Sequence, residues 1–135
     1  MTIEQLLIKH ENIELLPYYD TTHHITIGVG RNLSTVGITK DESMYLLSND
    51  INRTVKALQS RLSWYDSAPD IVKIVLQDMA FNLGIAGLLD FHTTLSMIQQ
   101  GKYKDASVEM LLSRWARQVG LRAKEDSDLL AQVHL

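Results

Sequence analysis

Apolar side chains recur in the first eleven residues at Ile3, Leu6 and Leu7, the spacing of one helical face, and Thr2 with Gln5 three residues later supplies a capping box. A helix ending near Glu11 is predicted. Pro17 cannot continue it, and from Tyr18 to Asn32 the rhythm changes to the alternation of "ITIGVG", preceded by "DTTHH", which predicts a short hairpin or small sheet. Helical spacing returns after "TKDE", where Thr39 and Glu42 form a second capping box and Leu47, Ile51, Val55, Leu58 and Leu62 follow. This longest predicted helix, about 39–62, breaks at "SWYDSAP". Ser67 with Asp70 is expected to cap the next helix, with Pro69 near its first turn. That helix is apolar almost all round through Val72, Val75, Leu76, Met79 and Phe81, which marks a buried element. Gly84 and Gly87 punctuate its end, and "TTLSMIQQG", "YKDASVEMLLS", "RWARQV" and "LRAKEDSDLLAQ" predict three or four short helices. The fold class is therefore α+β, mostly α-helical, with its sheet near the N-terminus.

Composition narrows the choice of chemistry. The 135 residues, 45% of them hydrophobic, suit one globular domain without repeats or flexible linkers. With no Cys, a disulfide framework and a thiolate zinc site are excluded, and a reducing cytoplasm fits. A formal charge of −3 gives no footprint for nucleic acid. The start "MTIEQLLIKHENIELL" is charged throughout, so no signal peptide is expected, and no run is expected to serve as a membrane span of ~18 apolar residues.

Candidate chemistry concentrates in "HENIELLPYYDTTHHITIGVGRN". Glycosidic cleavage needs one carboxylic acid to protonate the leaving oxygen and a second group to activate water or attack the sugar. Glu11, after an apolar helix, and Asp20, beside Thr21, Thr22 and His23, are suited to divide those roles. Spacing alone does not establish the pair, because sixteen acidic residues make a Glu and an Asp nine apart commonplace. Two solvated carboxylates remain the simpler reading until more of the pattern is used. His23 and His24 lack further ligands, and "HENIE" lacks the second His of a zinc-protease helix, so no metal or cofactor is expected. "GVGRNL" lacks the third glycine of a dinucleotide loop. Gly28 and Gly30 instead suggest close backbone approach or a bulge in a small sheet.

The ordered set of a helix ending in Glu, an aromatic pair, Asp, a turn and "TIGVGRNL" resembles the phage-type lysozymes, the endolysins of glycoside hydrolase family 24. Their signature runs Glu, Tyr, Asp and Thr-Ile-Gly-x-Gly-His in this order. The resemblance extends over most of the chain through "GITKDES", "AFNLGIAGLLDF", "QQGKYKDAS" and "SRWARQVGLRAK". It implies one lysozyme-like domain over 1–135: a small lobe at about 12–38, an interlobe helix at about 39–62, and a helical lobe at about 63–135 that includes helix 2–11.

It also implies inverting hydrolysis of the β-1,4 bond between N-acetylmuramic acid and N-acetylglucosamine in peptidoglycan. Glu11 matches the general acid, Asp20 the second carboxylate and Thr26 the hydroxyl that helps hold water. Inversion would place the two carboxyl groups ~6.5–9.5 Å apart. Asn32, Phe81 and Asn82 fall at substrate-binding positions, although Phe81 also suits ordinary core. Arg122 matches an arginine that reaches the acid glutamate, and Trp115 is read as a core aromatic whose indole N–H finds a partner. The implied partner is the glycan strand. The protein is expected to be a monomer made in the host cytoplasm, without stable membrane insertion, and to reach the wall by holin-dependent release. A lytic transglycosylase, a chitin-cleaving enzyme and a catalytically silent glycan-binding protein of the same fold are the alternatives.

Several positions depart from the family pattern. Asn12 stands where Gly is usual, at a helix exit that wants a left-handed residue. The tip "DTTHHIT" has no Gly, which puts any positive φ on Thr22 or His23. Arg31 replaces a histidine, and the register of the long helix suggests Asp50 as its ion-pair partner. Residues 33–37 form a short connection, so an extra helix in the small lobe is not expected. Arg114, Arg117, Arg122 and Lys124 suggest either a basic patch facing the glycan or a solvated helix face.

Overall fold

A computed structural model describes residues 1–134, so the final position of the predicted domain lies outside the described residues. The chain divides into two units, residues 1–46 and 47–135.

The first unit opens with helix α1, Ile3–Glu11. Its capping box forms as predicted: the Gln5 N–H donates to Thr2 Oγ1 at 3.1 Å, and the Thr2 N–H donates to Gln5 Oε1 at 2.9 Å. Strands β1 (Glu14–Tyr19), β2 (Ile25–Gly28) and β3 (Arg31–Asn32) then make an antiparallel sheet in that order. Sheet structure begins earlier than predicted because Pro17 sits where the β1–β2 register shifts, between Glu14 and Tyr18. A bulge tolerates a residue that has no N–H to give the ladder. Beyond the bulge Tyr18 pairs with Thr26, and Thr26 pairs with Asn32 across the other edge. Residues 33–36 form a turn, with the Val36 and Gly37 N–H groups on the Asn32 carbonyl.

The left-handed exit expected at Asn12 is not what forms. Asn12 adopts φ 64°, ψ 179°, a combination essentially reserved for Gly that costs a larger residue of order 1–3 kcal/mol. Asn12→Gly should therefore raise stability by about 1 kcal/mol, because the looser unfolded chain of a glycine returns part of the strain released. Thermal unfolding checks this, and an unchanged or lower Tm would contradict the strain.

Helix α2, Lys40–Arg61, runs from the first unit into the second. Its predicted box also forms, with Glu42 N–H on Thr39 Oγ1 at 3.1 Å and Thr39 N–H on Glu42 Oε1 at 2.9 Å. The predicted apolar stripe is only partly used. Leu58 and Leu62 are buried, whereas Leu47 and Ile51 are exposed.

In the second unit, Ser67 lies in a 3-10 turn, Tyr65–Ser67, and its hydroxyl donates to the Trp64 carbonyl instead of capping a helix. The turn buries Tyr65, whose hydroxyl accepts from Gln77 at 2.7 Å. Helix α3, Asp70–Leu89, follows Pro69 with no side-chain cap. Contrary to expectation, α3 is long and apolar enough by length and composition to match a membrane span. Its Val72, Val75, Leu76, Met79, Ala80 and Leu88 are nevertheless buried in the core, as the all-round apolar pattern predicted. A break at Gly84, φ 75° and ψ 161°, interrupts the helix at a geometry that a side chain would strain. Four short helices complete the unit: α4 (His92–Gln99), α5 (Tyr103–Met110), α6 (Arg114–Val119) and α7 (Leu121–Ala131). The buried core runs from Leu58 to Leu130.

Candidate active site

Glu11 is the last residue of α1, and its carboxyl rests on the β2–β3 turn. A Cβ built on Gly30 would stand 3.0 Å from Glu11 Oε2 and 3.1 Å from Cδ. Gly30, at φ 69°, is thus the close approach that the glycine pattern anticipated. At Gly28 a Cβ would meet nothing, and only its φ of 70° calls for glycine. Glu11 itself is exposed, so the apolar enclosure expected of a general acid is not provided here by the chain.

Asp20 closes the β1–β2 hairpin. Its backbone N–H donates to the His24 carbonyl at 2.9 Å, and its carbonyl accepts from the His23 N–H at 3.1 Å. One oxygen, Oδ1, accepts from the Thr22 N–H at 2.8 Å, the Thr22 hydroxyl at 2.9 Å and the His24 N–H at 2.9 Å. His23 takes φ 61° at the tip, so the chain turns without the usual glycine. The His24 backbone N–H does most to hold the Asp20 carboxyl below its ordinary pKa; the Thr22 donors add to it, and desolvation opposes. Asp20 is therefore an ionised group around neutrality.

Thr26, next to this turn on β2, is buried at 3% exposure. Its hydroxyl donates to the His24 carbonyl at 3.0 Å. With its single proton committed, Thr26 Oγ1 is left to accept.

Arg31 does not pair with Asp50 as expected. Its Nη1 donates to Glu42 Oε1 at 2.8 Å and to the Gly37 carbonyl at 3.2 Å, while Asp50 accepts from Arg53 at 2.6 Å. The capping box turns Glu42 back towards the chain preceding α2, and that places its carboxylate against Arg31. Arg31 and then the Thr39 N–H pull the Glu42 pKa down to about 2. Asn32 spends its side-chain oxygen on the Thr35 N–H at 3.1 Å.

In the second unit, Phe81 is not ordinary core. It is 48% exposed and lines a hollow of about 350 Å³ with Asp50, Arg53, Thr54, Gly84 and Ile85. Asn82 accepts the Trp115 indole N–H at 2.8 Å, so its carbonyl serves the core. Trp115 is the buried, satisfied aromatic predicted, and Phe91 meets it edge-on at 6.0 Å.

Arg122, matched to the arginine that reaches the acid glutamate, holds Asp78 within its own unit. Nε donates to Asp78 Oδ2 at 3.0 Å, and Nη2 to Oδ1 at 2.7 Å and to the Asp78 carbonyl at 3.2 Å. Lys124 pairs with Asp128, so two of the four cations suggested for a basic patch, Arg122 and Lys124, are held by carboxylate partners.

Sequence reading missed Asp126, which is 4% exposed with an unpartnered Oδ2. Burial first, then the neighbouring Asp78 carboxylate, push its pKa up to about 8 against the pull of Arg122. Asp78 moves the other way: burial raises it, but Arg122 and the proton of Asp126 outweigh that and hold it low. Among the described residues, no group of three or more His, Cys, Asp or Glu is arranged to hold a metal ion.

A mostly helical chain with a small N-terminal three-stranded sheet is of the lysozyme-like class of glycan hydrolases. The phage lysozyme family model matches residues 8–130, and the chain belongs to that family. Two relatives come from Dictyostelium discoideum. Probable T4-type lysozyme 1 is 26% identical over 151 aligned residues, and probable T4-type lysozyme 2 is 25% identical over 152. Each alignment spans 90% of this chain and 89% of the relative. The pre-baseplate central spike protein Gp5 of Enterobacteria phage T4 is 23% identical over 151 residues, covering 91% of this chain and 26% of that longer protein.

Proposed function

We propose that this chain is a muramidase that hydrolyses, with inversion, the β-1,4 bond between N-acetylmuramic acid and N-acetylglucosamine of peptidoglycan. Glu11 donates its proton to the glycosidic oxygen as the bond to the anomeric carbon breaks. Water attacks that carbon from the opposite face, giving one proton to Asp20 and keeping the other in the new hydroxyl.

The observation that carries this reading is the hydrogen-bonding state of the hairpin. Asp20 has Oδ1 filled by donors, and Thr26 has its proton spent on His24. Asp20 Oδ2 and Thr26 Oγ1 are then both acceptors. A water that donates one hydrogen to each keeps a lone pair for the sugar carbon. The lowered pKa makes Asp20 a modest base but keeps it charged beside the positive character that develops on the sugar ring. Glu11 is exposed without substrate, so the bound glycan itself would exclude water from the acid.

Mass spectrometry of products from purified peptidoglycan, comparing the wild type with Asp20→Ala, tests the proposal. Reducing muramic ends that vanish in the variant are expected. Anhydromuramic ends from both proteins would mean transglycosylation, and no product from either would mean a binding role or a different glycan.

A further inference from the structure

Two residues at the hairpin tip, Thr22 and His24, are joined to Asp20 by hydrogen bonds whose direction can be worked out. Thr22 Oγ1 lies 2.9 Å from Asp20 Oδ1 and 2.8 Å from His24 Nδ1. A hydroxyl has one proton, and an ionised carboxylate has none to give. The Thr22 proton therefore goes to Asp20, and the proton between Thr22 and His24 must come from the imidazole. If His24 instead carried its proton on Nε2, the Nδ1 lone pair would claim the Thr22 proton and Oδ1 would lose a donor. The two arrangements exclude one another.

From this geometry we infer that Thr22 and His24 are positioning residues for Asp20: His24, held with its proton on Nδ1, donates to Thr22, which donates to Oδ1 and so commits Oδ2 to the attacking water. The inference rests on the reading that Asp20 holds that water. Turning the carboxylate away from this orientation would break the bonds from the Thr22 N–H, the Thr22 hydroxyl and the His24 N–H together. Oδ2 itself stands 3.7 Å from His24 Nδ1, beyond hydrogen-bond range, and so stays open to a ligand. Neither positioning residue needs to touch the glycan.

The first test is nitrogen-detected NMR of the wild-type imidazoles at a pH where His24 is neutral. A protonated Nδ1 at His24 is expected, and a dominant Nε2–H form overturns the inference whatever the activity. The second is turnover of soluble peptidoglycan fragments by Thr22→Val, His24→Phe, His24→Asn and Asp20→Asn. Thr22→Val and His24→Phe should each lose about tenfold in kcat, the worth of one directed hydrogen bond, with KM within about twofold. His24→Asn, whose amide nitrogen reaches the Nδ1 position, should restore kcat to within about twofold of wild type. If Asp20→Asn is inactive while Thr22→Val and His24→Phe match wild-type kcat, the inference fails and the muramidase reading stands. If Asp20→Asn turns over like wild type, the water-holding role fails and the inference fails with it.

Discussion

Glu11→Gln should slow peptidoglycan cleavage by about 10²–10⁴-fold, the usual contribution of a general acid, with little change in Tm. The amide keeps the size and shape of the carboxyl but has no acidic proton for the leaving oxygen. Structure should tolerate the change. Glu11 is exposed, its helix is secured at the other end by the Thr2–Gln5 box, and the glutamine side chain fits the same space above Gly30. A loss of rate without a loss of stability would thus isolate the chemistry. Initial rates on labelled peptidoglycan provide the check, and a variant as fast as wild type would remove Glu11 from the acid role.

Asp126→Asn should act on stability, and in a pH-dependent way. The Asp126 pKa is raised on folding to about 8, so the native state holds its proton where the unfolded chain has already released it. The stabilisation that the protonated form gives is complete below the ordinary carboxylate value and is lost as pH rises through about 8. Between pH 6 and 9 the wild type should lose on the order of 2 kcal/mol through this group. Asp78 is held low and titrates below that window. In the asparagine variant, the amide N–H replaces the acid proton towards Asp78 and cannot ionise. Denaturant unfolding of both proteins at pH 6 and pH 9 should show the variant's advantage over the wild type growing as pH rises. Parallel pH profiles would show that Asp126 carries no shared proton.

What was legible in the sequence was mostly local. The capping boxes at Thr2 and Thr39 are contacts three residues apart, written in the residues themselves, and both form. Burial of α3 followed from its apolar composition. Pro17 concealed the start of β1, because a strand that accommodates proline does so through a bulge that no periodicity announces. Arg31 takes Glu42 in place of the expected Asp50 because helical register does not show which way a capping glutamate folds. The Asp78, Arg122 and Asp126 cluster joins residues 44 apart in sequence, and its members look like ordinary charges until packing removes their water. In the candidate site, the identities of Glu11, Asp20 and Thr26 came from the ordered motif. The proton bookkeeping among Thr22, His24 and Thr26 required distances.

The first unit builds almost no interior. Among its residues Thr26 alone is buried, and apolar side chains such as Ile27, Leu33, Ile38 and Tyr45 instead surround an open hollow of about 860 Å³. The buried core, by contrast, draws on residues from Leu58 onward. Cooperative resistance to unfolding therefore resides in the second unit, while residues 1–46 belong to the part of the molecule whose amides open and exchange most readily. Evolution has consequently written the candidate chemistry into the segment with the smallest reserve of stability, held in shape by turns, caps and polar contacts. Substitutions there should be felt as altered local order before they are felt as global unfolding.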